Sequence, residues 1–377
     1  MLASHPPPPP EATTRFTRDL IALAPAPTQD RPLAIAVSGG PDSMALLALA
    51  AAAFPDGVIA ATVDHRLRAA SADETAMVAD WCRAHAIPHA TLAPASPPAG
   101  ASIQAQARHI RYALLADWAR AAGATALATA HHADDQAETF LMRAARASGP
   151  AGLAGIRPRW EFRSDRWAVA TSPKEPYPRA GGGPGRPDAT VVTGNPGSPP
   201  ARGHGTCMGQ RLPIVRPLLT WRRADLRVLA AALPFVDDPS NTDPRHDRTA
   251  ARALLADGKL DPLALAAAAA HCREVDAALT ETIDWLWRTR TLPADVGEHR
   301  LDMTDLPREL RRRLTRRAIG DMRRDHAITE GKWSDAANIE SLLDALDSGG
   351  KATQAGVVAS AKAGIWHFRP APPRRSA

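Results

Sequence analysis

Short apolar runs alternate with longer segments of helical periodicity between residues 33 and 146. The apolar runs predict strands at 33–37, 58–63, 89–93 and 124–130. The periodic segments predict helices at 43–53, 72–86, 102–122 and 134–146, one after each strand. Because continuous apolar strands that alternate with helices pair in parallel, we expect an α/β fold with a doubly wound parallel sheet. Ligands of such sheets bind beyond the carboxyl ends of the strands, so the chemistry should lie where strands turn into helices.

The second half of the chain continues with a strand and a series of helices. The pattern predicts a strand at 211–219 and helices at 221–233, 262–290, 305–324 and about 334–346. The tail from 352 to 370 alternates weakly between apolar and polar residues, which indicates a small hairpin. We therefore expect a mainly helical region after about residue 245, followed by this hairpin.

Glycine and proline interrupt the pattern between residues 172 and 209, where they occupy 17 of 38 positions. This share exceeds the roughly 25–30% that marks low-complexity sequence, and the segment cannot bury enough apolar surface to offset its ordering entropy. We expect a disordered insertion there. We also expect residues 1–28, which include a run of five prolines, to form a disordered tail.

The formal net charge is +6, and nearly all of the positive charge is arginine. Arginine suits bidentate contacts with phosphate, although a GC-rich genome also enriches arginine, alanine and proline. The densest arginine run, at 308–326, predicts either a solvated helix face or an RNA contact, and we favour the RNA contact.

Two sequence features bear on the compartment. No run approaches the ~18 uninterrupted apolar residues of a membrane span, and the N-terminus lacks the apolar segment of a secretory signal, so we expect a cytoplasmic protein without membrane contact. Cys82, Cys207 and Cys272 form no CxxC pair, which disfavours a disulfide framework or a zinc ribbon.

The hexapeptide SGGPDS, which starts at Ser38, separates the first predicted strand from the first predicted helix. Gly39 and Gly40 can adopt positive φ angles, which lets successive backbone N–H groups point into one concavity. A helix that begins near Ser43 adds its free N–H groups and the positive end of its dipole, and the two serines add hydroxyl donors. Asp42 would repel a bare phosphate, so its presence predicts a Mg²⁺ ion between the carboxylate and the anion.

A plainer interpretation of SGGPDS is a tight strand-to-helix turn in which Ser43 is the helix N-cap. This interpretation fits each residue alone but does not explain why all six occur together. The hexapeptide also lacks the lysine of a Walker A loop. We therefore interpret it as an anion-binding loop of another kind.

A second polar cluster, TAHHADDQAET at 129–139, follows the predicted strand at 124–130 and lies at the same edge of the sheet. Asp134, Asp135 and Glu138 are spaced so that all three can approach one face of a helix. Asp135 and Glu138 also fit a capping box, because acids favour a helix N-terminus. Capping and catalysis are compatible roles for these acids.

Two further groups of residues have two interpretations each. Asp64 and His65 end the second predicted strand at the same edge, where His65 is either a ligand contact or a turn histidine. Arg108 and Arg111 lie one helical turn apart beside Tyr112, and they either hold phosphate or RNA or form a solvated helix face.

SGGPDS resembles the pyrophosphate loop of the ATP pyrophosphatase superfamily, whose members cleave ATP between the α and β phosphates and adenylate an oxygen. The chain is similar to the tRNA(Ile)-lysidine synthase family in the order of SGGPDS, VDHRLR, ARHIRY, TAHHADDQAET, GLAGI, RPLLTWRRADL and DDPSNTDPRHDRTAAR. This resemblance extends from about residue 33 to 256. The insertion at 172–209 and the short C-terminal region depart from the family pattern.

The resemblance implies an adenine nucleotide alpha hydrolase-like fold and a two-step ligation. ATP would adenylate the C2 carbonyl oxygen of the wobble cytidine in a CAU-anticodon tRNA(Ile), and free L-lysine would then displace AMP. The implied ATP contacts are Ser38, Gly39, Gly40, Pro41, Asp42 and Ser43, the implied Mg²⁺ ligands are Asp42 and Asp135, and the implied catalytic residues are Asp42, Asp135 and Glu138. The implied contacts with lysine or tRNA are Asp64, His65, Arg108, Arg111, His132, Asp134, Asn241, Arg248 and Arg252. Surface ion pairing is the alternative role of Arg248 and Arg252.

We divide the chain accordingly into four parts. These are the tail at 1–28, an ATP-binding catalytic domain at 29–235 that includes the insertion, a helical substrate- and tRNA-binding region at 236–350, and a hairpin and tail at 351–377. A homodimer is common in the family and is a further expectation.

Three other functions compete with this interpretation. A tRNA thiolase of the same superfamily would carry sulfur through paired cysteines or a CxxC-bound cluster, which this sequence lacks. A small-molecule amide synthetase, such as NAD synthetase, fits the basic charge poorly. A non-enzymatic RNA-binding module leaves the acids beside the anion loop unexplained, because they weaken RNA binding unless chemistry needs them.

Overall fold

The computed structural model describes residues 6–64, 71–95, 103–162, 211–237, 247–329, 333–334 and 337–372. The chain divides into two units, Met1–Cys272 and Arg273–Ala377. We expected a boundary at 235/236, but residues 247–272 belong to the first unit, in which the helix Asp247–Ala256 contacts the helix that carries the second polar cluster. The expected insertion at 172–209 lies outside the described residues.

A six-stranded sheet forms the centre of the first unit. Its strands are β1 Leu33–Ala36, β2 Val58–Val63, β3 His89–Leu92, β4 Ala126–Ala128, β5 Arg159–Phe162 and β6 Leu212–Val215. Their order is β3-β2-β1-β4-β6-β5, and every neighbouring pair is parallel except β5 with β6. The predicted doubly wound parallel sheet is confirmed. Since β1 lies between β2 and β4, the connections that leave β1 and β4 open beside each other, at the point where such sheets bind ligands.

Helices cover both faces of this sheet. The helices that begin in this unit are α1 Pro10–Ile21, α2 Pro41–Ala53, α3 Ser71–Ala84, α4 Ile103–Ala121, α5 Ala133–Ala144, α6 Pro150–Leu153, α7 Arg223–Ala230, α8 Asp247–Ala256 and α9 Pro262–Arg290, and the last of them ends in the second unit. Leu33 and Ile35 of β1 pack with α1, α2, α3 and α7, whereas Ala34 between them packs with α4. This alternation along one strand is what a sheet buried on both faces requires.

The N-terminal segment is not the disordered tail that we predicted, because residues 10–21 form α1. Phe16 and Leu20, one helical turn apart, are fully buried in the core that also holds α2. The run of prolines ends at Pro10, the first residue of the helix, where a missing N–H costs no hydrogen bond and the fixed φ suits a helix. The proline run therefore precedes a helix and does not indicate disorder.

The second unit contains the predicted hairpin, at 357–370, as part of a five-stranded antiparallel sheet. Its strands are β7 Thr291–Leu292, β8 His299–Asp302, β9 Lys351–Gln354, β10 Val357–Lys362 and β11 Ile365–Pro370, in the order β7-β8-β11-β10-β9. β7 and β8 lie in the region expected to be helical, and they are too short and too polar to show a strand period. One face of the sheet packs on α10 Arg308–Asp325 and α11 Glu340–Asp347.

The arginine run on α10 is engaged in ion pairs within the second unit. Arg308 lies 2.6 Å from Asp344, Arg311 2.7 Å from Asp347, Arg312 2.7 Å from Glu340, Arg313 2.8 Å from Asp276 and Arg317 2.6 Å from Asp284. Hydrogen bonds from Arg312 and Arg308 lower the pKa of Glu340 to about 2. These arginines join α10 to α11 and to α9, so the expectation of an RNA contact along the run is not supported.

None of the helices in the described ranges combines the length and the apolar character that crossing a bilayer demands.

We predict that Phe16→Ala lowers the free energy of unfolding of the first unit by about 3–5 kcal/mol, because it empties a fully buried ring site. Ile21→Ala on the same helix is the control, since this side chain is 51% exposed and its loss should change stability by about 0.5 kcal/mol or less. Urea denaturation followed by circular dichroism measures both. Equal, small losses would show that α1 is dispensable to the core.

Candidate active site

The loop between β1 and α2 is held in shape by one buried serine. Ser43 Oγ donates to the Gly40 carbonyl oxygen (2.9 Å), accepts from the Ser38 backbone N–H (3.1 Å) and lies 3.2 Å from Ser38 Oγ. Gly39 has a φ of +82°, which favours glycine. Gly40 is the N-cap in an extended conformation, and the helix begins at Pro41. The sequence predicts that both glycines can adopt a positive φ and that the helix begins near Ser43. In the structure Gly40 has a negative φ, and the helix begins at Pro41.

The N-terminal end of α2 faces this loop without a side-chain cap. Gly40 has no side chain to accept from the first-turn N–H groups, so the positive end of the helix dipole is available to an anion. The backbone N–H of Val236, in the segment after α7, donates to the Gly39 carbonyl oxygen (3.0 Å). This bond ties a distant segment to the loop and fixes the position of its second residue.

The two polar clusters found in the sequence meet at His132. His132 Nε2 lies 3.5 Å from Asp42 Oδ2 and 3.5 Å from Asp135 Oδ2, and its Nδ1 lies 3.8 Å from Asp134 Oδ2. The imidazole is 4% exposed. Asp42 in the first turn of α2 and the acids in the first turn of α5 therefore surround one buried ring.

His132 is the N-cap of α5 and forms a capping box with Asp135. The Asp135 N–H donates to His132 Nδ1 (3.3 Å), and the His132 N–H donates to Asp135 Oδ2 (3.1 Å). We had considered a capping box of Asp135 with Glu138, and the structure instead uses Asp135 as the third residue of the box. Because Nδ1 accepts a hydrogen bond, the ring proton of the neutral imidazole belongs on Nε2, which faces Asp42 and Asp135.

The carboxylates around His132 favour its positively charged form. Burial lowers the pKa of His132, but the hydrogen bond with Asp42 and the charges of Asp135, Asp42 and Asp134 outweigh burial and raise it above the ordinary value. Asp42 Oδ1 is buried and has no hydrogen-bond partner among the described residues. A buried carboxylate oxygen without a donor is suited to bind a cation.

The other two acids of α5 have structural partners. Asp134 Oδ2 accepts from the Arg223 backbone N–H (2.8 Å), which caps the first turn of α7. Glu138 is 4% exposed, and its Oε1 accepts from Arg252 Nε (2.7 Å). Arg252 is thus joined to an acid of α5, so the ion-pair alternative for this residue holds in the structure, although its partner is buried.

Arg216, which directly follows β6, is a buried cation at the same edge, and the sequence pattern does not predict it as a site residue. It is 5% exposed, one guanidinium nitrogen donates to the Arg157 carbonyl oxygen (2.5 Å), and Nε has no partner among the described residues. Burial lowers the pKa of Arg216 and the charge of Arg108 adds to this, while Tyr112 and Asp135 oppose it. The predicted strand ran to residue 219, which placed Arg216 inside a strand and hid its position at the edge.

The remaining predicted site residues are placed only in part. Arg108 and Arg111 are exposed on α4, and Arg108 lies over the ring of Tyr112 at 5.2 Å. Asp64 follows β2 at the carboxyl edge, where its N–H donates to the Leu92 carbonyl oxygen (2.8 Å). His65 and Asn241 lie outside the described residues, and of Arg248 only the backbone position on α8 is described.

Comparison with known proteins matches residues 12–171 to the family model of the PP-loop domain. The chain is 38% identical to the tRNA(Ile)-lysidine synthase of Novosphingobium aromaticivorans, over 97% of this chain and 95% of that protein. It is 37% identical to the tRNA(Ile)-lysidine synthase of Zymomonas mobilis subsp. mobilis, over 92% of this chain and 90% of that protein. Among solved structures, it is similar to the U34-tRNA thiolase NcsA from Methanococcus maripaludis with its 4Fe-4S cluster, with a TM-score of 0.46 and 13% identity over 70% of this chain and 77% of that one.

We predict that Ser43→Ala lowers the free energy of unfolding of the first unit by about 1–3 kcal/mol, because it removes the acceptor for Ser38 N–H and the donor to the Gly40 carbonyl. The matched control is Thr13→Ala, whose exposed hydroxyl donates to the Pro9 carbonyl oxygen at the start of α1. Urea denaturation of both variants measures the difference. If the two variants lose the same stability, Ser43 does not hold the loop.

Proposed function

The chain belongs to the tRNA(Ile)-lysidine synthase family, and we propose that it ligates free L-lysine to C2 of the wobble cytidine in CAU-anticodon tRNA(Ile) at the expense of ATP. The observation that carries the proposal is the convergence of Asp42, from the glycine loop, and Asp135, from α5, on His132. An anion-binding loop and a cation-binding group of acids thus share one edge of the sheet. This pairing suits a reaction in which a polyphosphate, a metal ion and an amine must all be bound.

In the first step, the cytidine C2 carbonyl oxygen attacks the α-phosphorus of ATP and pyrophosphate leaves. We assign the nucleotide phosphates to Ser38, Gly39, Gly40 and Ser43, because backbone N–H groups, hydroxyls and a helix N-terminus bind anions, and to Pro41, which has no N–H, as a neighbour in van der Waals contact. Arg216, Arg108 and Arg111 lie at or near the same edge and are further candidates for contact with phosphate or RNA.

The donor set fits a Mg²⁺ ion. Asp42 offers a buried carboxylate oxygen that has no donor among the described residues, and Asp135 offers a second carboxylate. No group of three or more His, Cys, Asp or Glu in the described ranges could hold a metal, but Mg²⁺ commonly uses one or two carboxylates with substrate phosphates and water. When bound, the ion would neutralise the charge that develops on the departing pyrophosphate.

In the second step, the lysine amine attacks C2 and AMP leaves. The amine is nucleophilic only when neutral, so a carboxylate must accept its proton. Asp135 and Glu138 lie one helical turn apart on α5, and we propose that these two acids receive the cationic substrate. Asp134 also accepts from the Arg223 N–H at the start of α7, and it stays a further candidate for contact with lysine or tRNA.

The thiolase alternative has no support in the described cysteines. Cys82 is buried, and burial raises the pKa of its thiol to about 12, so it is not a thiolate near neutral pH. Cys272 lies on α9, and Cys207 lies outside the described residues. A sulfur relay through paired cysteines needs two of them close together, and Cys82 and Cys272 lie on different helices, α3 and α9.

We propose that the open face of the second unit's sheet contacts the tRNA backbone. Strand register places Lys351, Ser360, His367 and Arg300 in one row across four strands, on the face opposite the buried Ala359 and Phe368, and of these His367 is paired with Glu298 (2.5 Å). Lys362 and Arg369 project on the same side, and no ion pair of Lys351, Lys362 or Arg369 is found among the described residues. Cations without carboxylate partners suit phosphate binding better than the paired arginines of α10. A homodimer is proposed on family membership alone.

The proposed function predicts incorporation of labelled lysine into CAU-anticodon tRNA in the presence of ATP and Mg²⁺. Asp42→Ala should lower the rate by roughly 10²–10³, the scale on which loss of one charge-stabilising group acts, while the fold is retained. Asp225→Ala, which removes an exposed acid of α7, is the control and should be unchanged. Entry of labelled sulfur would favour a thiolase, and absence of ATP turnover with any RNA would favour a binding module.

The open face predicts a second outcome. The triple variant Lys351→Ala, Lys362→Ala and Arg369→Ala should weaken tRNA binding and reduce the dependence of log Kd on log salt by roughly 0.7–0.9 per lost phosphate contact. The kcat at saturating tRNA should stay unchanged, because these residues lie outside the site. Lys259→Ala, an exposed lysine paired with Asp257 in the first unit, is the control. An unaltered salt slope in the triple variant would exclude this face from the RNA contact.

A further inference from the structure

Two residues of α1, one helical turn apart, hold the segment that leads into α7. Trp221 Nε1 donates to Asp19 Oδ2 (3.0 Å), and Thr220 Oγ1 lies 3.4 Å from the same oxygen. Arg15 donates to the Thr220 carbonyl oxygen (2.8 Å), and its guanidinium lies 4.2 Å from the centre of the Trp221 ring. Both the backbone and the indole of residues 220–221 are therefore bound to α1.

The other side of the same segment is bonded to the first turn of α5. The Trp221 carbonyl oxygen accepts from the Ala133 N–H (2.9 Å), and the Arg223 N–H donates to Asp134 Oδ2 (2.8 Å). Ala133 is the first helical residue after His132, and Asp134 precedes Asp135. A shift of residues 220–223 would therefore move the turn that carries the α5 acids.

α1 also packs against the helix that carries Asp42. Phe16 and Leu20 are fully buried in one core with Met44 and Leu47 of α2. The same short helix thus touches α2 directly and reaches α5 through Trp221, which is 2% exposed. It connects the two halves of the site by a route separate from the sheet.

We propose that Arg15 and Asp19 are positioning residues, which set the distance between Asp42 and the acids of α5 by holding Trp221. The proposal rests on the proposed function, since it concerns the same site, but it makes a structural claim that can be tested without turnover. The buried indole N–H fixes the direction of the Trp221 side chain, and the Arg15 bond fixes the adjacent carbonyl. Misplacement of reacting groups by 1 Å can lower the rate roughly 100-fold. Loss of the contacts of Arg15 and Asp19 with residues 220–221, which we call the α1 brace, should therefore affect kcat more than substrate affinity.

The test compares four variants of the full-length protein. Asp19→Ala removes the acceptor, and Trp221→Phe removes the indole N–H while keeping an aromatic ring in the core. Asp19→Asn keeps a carbonyl oxygen that can accept from the indole, so it should rescue. Arg18→Ala is the matched control, because Arg18 is 73% exposed and bonds only the other oxygen of Asp19.

We expect Asp19→Ala and Trp221→Phe to lower the kcat of AMP release about tenfold or more, with KM for tRNA within about twofold of the unmodified protein. Asp19→Asn and Arg18→Ala should remain within about twofold in both parameters. Equal kcat in all four variants would overturn the proposal. So would a loss in Asp19→Asn as large as that in Asp19→Ala, because charge rather than the indole bond would then be responsible.

Hydrogen exchange of the Ala133 amide supplies the readout that needs no activity. Asp19→Ala should speed exchange at Ala133 about tenfold or more while the amides of β1 keep their protection, whereas a global loss of stability would speed both. An unchanged exchange rate of the Ala133 amide in Asp19→Ala would overturn the proposal that Asp19 positions α5, even if activity fell. If the unmodified protein ligates no lysine, the proposed function fails, and the exchange result still decides the α1 brace on its own.

Discussion

Three carboxylates around one buried imidazole are the constraint on which the site depends. Asp42 and Asp135 lie 3.5 Å from one ring nitrogen of His132, and Asp134 lies 3.8 Å from the other. Carboxylates gathered around one ring repel each other, and positive charge beside them reduces that repulsion. Arg222 supplies one such charge, because its Nε lies 3.7 Å from Asp134 Oδ2.

The surroundings of α5 show how this group of charges is kept in place. Gln136 uses both ends of its buried amide on the segment GLAGI, donating to the Ala154 carbonyl (3.1 Å) and accepting from the Ile156 N–H (2.6 Å). Gly155 has a φ of +67°, and a Cβ there would lie 2.5 Å from Gln136 Nε2. Gly155 is thus required because the Gln136 side-chain amide lies so close to it. Through these contacts the GLAGI segment supports α5, the helix that carries the acids. Asp134 and Trp221 hold the opposite end of the same turn.

Local pattern was sufficient to predict the parallel sheet and the meeting of SGGPDS with the α5 cluster, because both follow from strand order and from what comes after each strand. It failed where the deciding contact is distant in sequence. Asp19 bonds Trp221, 202 residues away, and no local pattern reports such a partner. The pattern also misplaced Arg216. The apolar run continues beyond the end of β6 at Val215, so the residue was predicted to lie inside a strand. The two-residue strand β7 is too short to show any period.

The number of basic residues in a segment does not by itself indicate an RNA contact, because basic side chains can already be paired with carboxylates. The arginines of α10 form the densest basic run in the sequence, yet Glu340, Asp344 and Asp347 bind them from α11. A guanidinium that already has a carboxylate must break that pair to bind phosphate, and it gains little by the exchange. The lysines of the sheet's open face are sparse in sequence but have no carboxylate partner among the described residues, and each releases counterions without losing a bond. For an anionic polymer the second arrangement is the better surface, so the number of unpaired cations, not the number of cations, locates the RNA contact that we propose.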